Sequence, residues 1–249
     1  MTEPPREPDA MSLLGLPDSA WQDHRITKKL LTEQFEERSP ADARLIGKGL
    51  AAARLVAILR PETIQVPRYV DDERSVTDIP VIDAALTDKT TAGDRTRVAE
   101  LIHRSMARPV VLLARMPNET TQLSLALSHV SRIDPARSTS VIDAHLMVAT
   151  TQIEPGALRI GRLDRTDMWA LYRDLVRVAA TDGRPVGVAL QASEAVALRR
   201  RLIDLEAELA SVVRNARQAK SQQVRIELNT SARTLRTQIS RAREALYRT

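Results

Sequence analysis

The sequence predicts an α+β fold: a mixed or antiparallel sheet with flanking helices, followed by a long C-terminal helix or helical hairpin. Three observations carry this. Short apolar runs with period-two alternation, such as TTQLSLALSHVS, are bounded by turn residues. Amphipathic stretches with capping residues lie between them. After Pro185 no proline follows, and after Gly187 no glycine, so the last quarter is uninterrupted helix-forming sequence. The expected organisation is a disordered lead over residues 1–11, an α+β domain over 12–187 and a basic coiled-coil arm over 188–249.

The elements follow in order. Residues 1–11 are rich in proline and charge and bury little. LLGLPDSAW reads as an ordered strap. RITKKLLTEQFEER predicts a short helix with Ile26, Leu30, Leu31 and Phe35 near one face. SPADARLIGKGLAAARL predicts a second, with Ser39 as N-cap, Pro40 at the first helical position and Asp42 at the positive end. Leu45, Ile46, Leu50 and Ala53 form its apolar face. RLVAILRPETIQVP then reads as strand, tight turn and second strand, and IPVIDAALT as a third. Asp94 is the expected cap of a helix through DRTRVAELIHRSM, with Val98, Leu101, Ile102 and Met106 on one side. PVVLLARM and TTQLSLALSHVS form a hairpin across the turn MPNET, with Leu123, Leu125 and Leu127 on one face. TSVIDAHLMVATT reads as another strand or the start of a helix. DRTDMWALYRDLVRVAATDG is an amphipathic helix with Trp169, Tyr172, Leu175, Val176 and Ala179 inward, stopped by Asp182-Gly183.

Composition narrows the chemistry. Of 249 residues 43% are hydrophobic but only 2% aromatic, so the core is aliphatic and a base-stacking platform is disfavoured. There is no cysteine, which excludes disulfides, thiol catalysis and thiolate metal sites. No signal-peptide core and no run of membrane-spanning length occurs, and a cytoplasmic location is expected. With eight glycines, and neither a P-loop nor a dinucleotide fingerprint, no nucleotide cofactor site is expected on a glycine-rich loop.

The net charge of +5 is concentrated at the C-terminus: from Leu198 onward, twelve Arg and Lys stand against five acids. There, Leu198, Leu202, Leu205, Leu209, Val212, Ala216 and Ala219 step alternately by four and three, as in a coiled-coil seam. Leu228, Ala232, Leu235, Ile239, Ala242 and Leu246 do the same, in a different phase. Either the chain folds back as a hairpin near residues 219–227, or one helix of ~80 Å changes its contact face. The candidate binding residues are Arg199, Arg200 and Arg201 in a row, Arg214, Arg217 and Lys220 at spacing three, and Arg225. They are a candidate surface for phosphates or an acidic partner, against the plainer reading of solvated helix flanks.

No catalytic or metal constellation emerges. His24, His103, His129 and His145 lack ligand spacing, although His129 and His145 can meet across a sheet. A metal-dependent nuclease needs a strand Asp followed by Glu-x-Lys; Asp83 with Asp88-Lys89 does not supply it, and Asp143 is an equally isolated strand acid. Arg60 and Glu62 flank Pro61 as an ordinary charged turn.

Several segments together suggest a relationship: LLGLP, the pair Lys28-Lys29, LVAILRPETIQVP, PVVLLARM, LYRDLVR and SQQVRIELNTSARTLRTQI. In this order, from about residue 13 to about 247, the chain resembles the bacterial domain-of-unknown-function family numbered four-three-nine-one. The resemblance implies an α+β domain with a coiled-coil tail, encoded beside helicases and DNA methyltransferases in restriction or phage-defence clusters. It carries over no catalytic residues and no cofactor. The chain departs from the family where an aromatic, Lys-bearing strand is replaced by PVIDAALTDK. The implied role is a non-enzymatic adaptor that docks a helicase or methyltransferase, with the arm touching DNA or forming a homo-oligomer. The alternatives are a divergent metal-dependent nuclease subunit and a purely structural coiled-coil homodimer.

Overall fold

The computed structural model describes residues 9–36, 39–130, 140–187 and 189–248. Most of the expected disordered lead, residues 1–8, and the end of the first expected helix, 37–38, lie outside that range. The chain is α+β. A six-stranded mixed sheet has the order β1-β2-β5-β6-β7-β8, formed by β1 (Trp21–Ile26), β2 (Leu50–Leu59), β5 (Ile79–Leu86), β6 (Val111–Arg115), β7 (Thr121–Val130) and β8 (Ser140–Ala149). A two-stranded ribbon pairs β3 (Tyr69–Val70) with β4 (Ser75–Val76). All neighbours are antiparallel except β5 and β6, which helix α5 (Ala92–Arg104) joins by a crossover.

Strand alternation sends side chains to two aliphatic cores. Ile82, Ala84 and Leu112 face Val98, Leu101 and Ile102 of α5, with α2 (Lys28–Glu36) and α3 (Pro40–Gly49) completing that layer. Val81, Leu113, Leu123 and Leu125 face the opposite way, onto Leu171, Tyr172 and Leu175 of α6 (Met168–Ala180). The Tyr172 hydroxyl donates to the Val110 carbonyl at 2.8 Å and accepts from the Ala126 N–H at 3.1 Å.

Several expected boundaries shift. Helix α1 (Ala10–Leu14) starts within the expected lead: Asp9 accepts the Ser12 N–H at 2.8 Å and Ala10 is buried. The strap ends in a strand, β1, which periodicity does not reveal because its side chains are mostly exposed on both faces. The second helix stops at Gly49 and β2 begins at Leu50, five residues before the expected strand. A Cβ on Gly49 would approach Val98 Cγ2 to 2.8 Å, so α3 can lie this close to α5 only through glycine. The second strand expected in TIQVP is absent; Pro61–Ile64 is a helical turn, α4, ended by Gln65 at a φ of 55°. Ser39 does not cap α3 through its side chain; its hydroxyl donates to Asp42 at 3.0 Å. For α5 the cap is Thr91, and Asp94 returns the bond to the Thr91 N–H in a reciprocal capping box.

The C-terminal sequence folds back on itself. Helix α7 (Ala192–Gln218) and helix α8 (Gln222–Leu246) are antiparallel, joined through residues 219–221. Leu202, Leu205 and Ala216 on one helix, and Ala232, Leu235, Ile239, Ala242 and Leu246 on the other, are buried. The phase change between the two apolar runs is thus the reversal of the chain. The root of the hairpin belongs to the body: Ala192, Ala195 and Val196 share the core of α6. No helix among the described residues is long and apolar enough to cross a membrane.

Candidate functional surfaces of the hairpin and its root

At the root, Arg199 points inward from α7. Its Nη1 donates to Asp182 Oδ2 at 2.6 Å and to the Tyr247 hydroxyl at 3.0 Å, and its Nη2 donates to Gln152 Oε1 at 3.1 Å. Tyr247 also donates to Asp182 at 2.7 Å. Burial and this acceptor raise the Tyr247 pKa, so the hydroxyl stays protonated as a donor. Asp182 holds this position because the α6 terminus leaves it at a φ of 55°, followed by Gly183 at 77°. The network links the end of α6, the start of α7 and the end of α8.

This network floors a groove of about 740 Å³, whose walls include Met147, Leu202, Ile203, Arg184 and Arg243. Across shared Arg199 and Ile203 it continues into a second hollow of about 500 Å³ between α5, β8 and α7, lined by Glu100, His145 and Arg200. Arg243 donates to Glu206 at 2.6 Å on the rim, and the Arg184 guanidinium lies 4.6 Å from the Tyr247 ring centroid.

Under the second hollow, Ser124 bridges two histidines. Its hydroxyl lies 2.9 Å from His103 Nε2 and 2.8 Å from His145 Nε2. A hydroxyl has one proton to give, so one ring accepts it and the other donates its own N–H. Burial, with His145 nearby, holds the His103 pKa well below its usual value. Burial likewise lowers His145, to about 4, so both rings are neutral near pH 7. The expected cross-sheet meeting of His129 with His145 does not occur: His129 contacts Asp143 at 2.8 Å, and His145 joins His103 instead.

The strand acids are engaged in ion pairs. Asp83 accepts from Arg115 at 2.7 Å on the neighbouring parallel strand, and Asp143 also lies 3.7 Å from Arg74. Among the described residues no group of three or more His, Cys, Asp or Glu side chains is placed to hold a metal ion. Glu62 pairs with Arg68 at 3.1 Å, not with Arg60.

The seven candidate cations divide into three sets. Arg199 is buried in its network; Arg200 and Arg201 are exposed near the root, with Arg200 on the second hollow. Arg214, Arg217, Lys220 and Arg225 are all exposed and gather at the tip. No acid occurs from Leu209 to Ile226, and Val224 and Ile226 are exposed there as well. The first turn of α8 has no acidic residue to complement the positive helix end, so the cations stand beside a partial charge of their own sign. Asp182, Gln152, Arg184 and Tyr247 were not legible as site residues, since they meet Arg199 only through the fold.

No curated protein and no solved structure matches this chain. A family model described as Domain of unknown function (DUF4391) matches residues 14–239, which is most of the chain. The chain therefore belongs to the DUF4391 family.

Proposed function

We propose that this chain is a non-catalytic accessory protein of a restriction-like or phage-defence system, acting in the cytoplasm. Its hairpin tip contacts the nucleic-acid backbone, and its α+β body docks a helicase or DNA methyltransferase. The observation that supports this best is the tip: four exposed cations, Arg214, Arg217, Lys220 and Arg225, in a stretch without an acid. Such a surface neutralises phosphates, a sequence-independent attraction that weakens as salt rises. Exposed Val224 and Ile226 beside it give a partner protein an apolar foothold. The partner class follows from what the family resemblance implies.

The test is duplex DNA binding by purified protein, compared with an Arg214→Glu, Arg217→Glu variant. Both side chains are exposed, so the fold should survive the change. The expected result is a loss of at least tenfold in affinity at low salt. Equal binding by the variant overturns the tip as the contact. Divalent-metal-dependent DNA cleavage abolished by Asp83→Ala would replace the adaptor reading with a nuclease.

A further inference from the structure

We propose that the free edge of β8 takes up an extended segment of a partner protein as a further strand of the sheet; this names a surface for the docking role proposed above and rests on that reading. β8 ends the sheet, and among the described residues it pairs only with β7. No other described element shares a backbone hydrogen bond with residues 141–149. Alternate N–H and C=O groups along this edge therefore lack a strand partner. The two hollows at the hairpin root follow the same edge. Together they run beside every residue from Ile142 to Ala149, and they join at Met147, Arg199 and Ile203. That length of strand spans roughly 25 Å. A hollow of this length, beside a row of main-chain donors and acceptors, has the shape and the chemistry of an extended peptide.

The two edges of the sheet differ. β1 is short, slips in register between Trp21 and His24, and carries Asp23, His24 and Arg25, the irregular and charged kind of edge that resists pairing. β8 keeps unbroken register from Ala144 to Ala149, with no Asp, Glu, Lys or Arg in that stretch. Helices α5 and α7 both line the hollow beside it. A second copy offering its own β8 would carry its own α5 and α7 into that space, whereas a single strand needs only about 4.8 Å beside β8. On the α7 side the segment meets Ile203, which is exposed and apolar, and Arg200, which has no ion pair among the described residues. On the α5 side it meets His145 and Glu100, and Glu100 already pairs with Arg97 at 2.9 Å. The segment that fits is one strand with acidic and aliphatic side chains toward α7 and neutral polar ones toward α5.

Titration calorimetry and amide hydrogen exchange of the full chain test this with the peptide acetyl-Thr-Glu-Thr-Val-Thr-Glu-Thr-amide. Saturable binding is expected, and it should slow the exchange of alternate β8 amides by about tenfold or more. N-methylation of one alternate set of peptide amides should weaken binding about tenfold or more, and N-methylation of the other set should not, because only one set faces β8. A peptide with Lys in place of Glu should bind about tenfold more weakly, and Arg200→Glu should reverse that preference. Arg200 is exposed, and the peptide series leaves the protein unchanged, so the answer does not depend on whether a variant folds. Absence of saturable binding, equal effects of the two N-methylated peptides, or unchanged exchange along β8 overturns the proposal. A dimer in sedimentation whose β8 amides are protected without peptide overturns it too, because a second copy is then the occupant. The affinity of the tip for duplex DNA is measured on the same samples: DNA binding without peptide binding strikes down this surface alone and leaves the accessory reading standing.

Discussion

Asp182 and Arg199 form a nearly enclosed ion pair: Oδ2 and Nη1 are 2.6 Å apart, and the two side chains are only 12% and 10% exposed. The pair joins the turn that ends α6 to the first turns of α7, and Tyr247 adds the end of α8. It therefore holds the hairpin to the body. Removing one member leaves the other charge buried. Arg199→Ala is expected to cost about 3–5 kcal/mol in urea unfolding. Arg200→Ala, on the next and exposed residue, should cost less than about 0.5 kcal/mol. Equal midpoints for the two variants would show that the pair carries no such weight.

Tyr172 makes a second test of the core. Its hydroxyl serves one strand-end carbonyl, Val110, and one N–H, Ala126, in a wholly buried place. Tyr172→Phe keeps the ring and strands both backbone groups. A loss of about 1–3 kcal/mol is expected by chemical denaturation. No loss would mean that the two groups find other partners.

The His103–Ser124–His145 bridge makes stability depend on pH. Burial lowers both imidazole pKa values in the fold, His145 from 6.5 to about 4, while the unfolded chain titrates near 6.5. Below that value the unfolded state binds more protons. Stability is therefore full above about pH 6.5 and declines as the pH falls toward about 4. Going from about pH 7 to about pH 5 should cost roughly 2 kcal/mol through His145 alone. Urea midpoints of the protein and of His145→Gln, measured at both pH values, separate this share. An identical pH dependence in the two proteins contradicts the assignment.

What the sequence discloses depends on how locally each feature is specified. Leu123, Leu125 and Leu127 alternate because one face of β7 meets α6 while the other meets α5, and both the strand and its turn are readable. The stop at Asp182-Gly183 is likewise local backbone chemistry. Strand β1 is unreadable because it lies at a sheet edge with few buried side chains. The start of β2 hides in LAAARL, whose alanines suit a helix until packing overrides propensity. Arg199 hides differently. In a run of three arginines it looks solvated, yet Ala192, Ala195, Arg199 and Leu202 step by three and four along the buried side of α7. Its partners Asp182 and Tyr247 lie 17 and 48 residues away, so no spacing rule connects them.

The hairpin tip as a phosphate-binding surface is tested most directly by the salt dependence of duplex DNA affinity. If Arg214, Arg217, Lys220 and Arg225 each neutralise one phosphate, log K against log salt should fall with a slope of about −3 to −4. Replacing all four by Gln should bring the slope close to zero without moving the urea midpoint. A slope that is unchanged in the fourfold variant, or absent from the unaltered protein, contradicts the account.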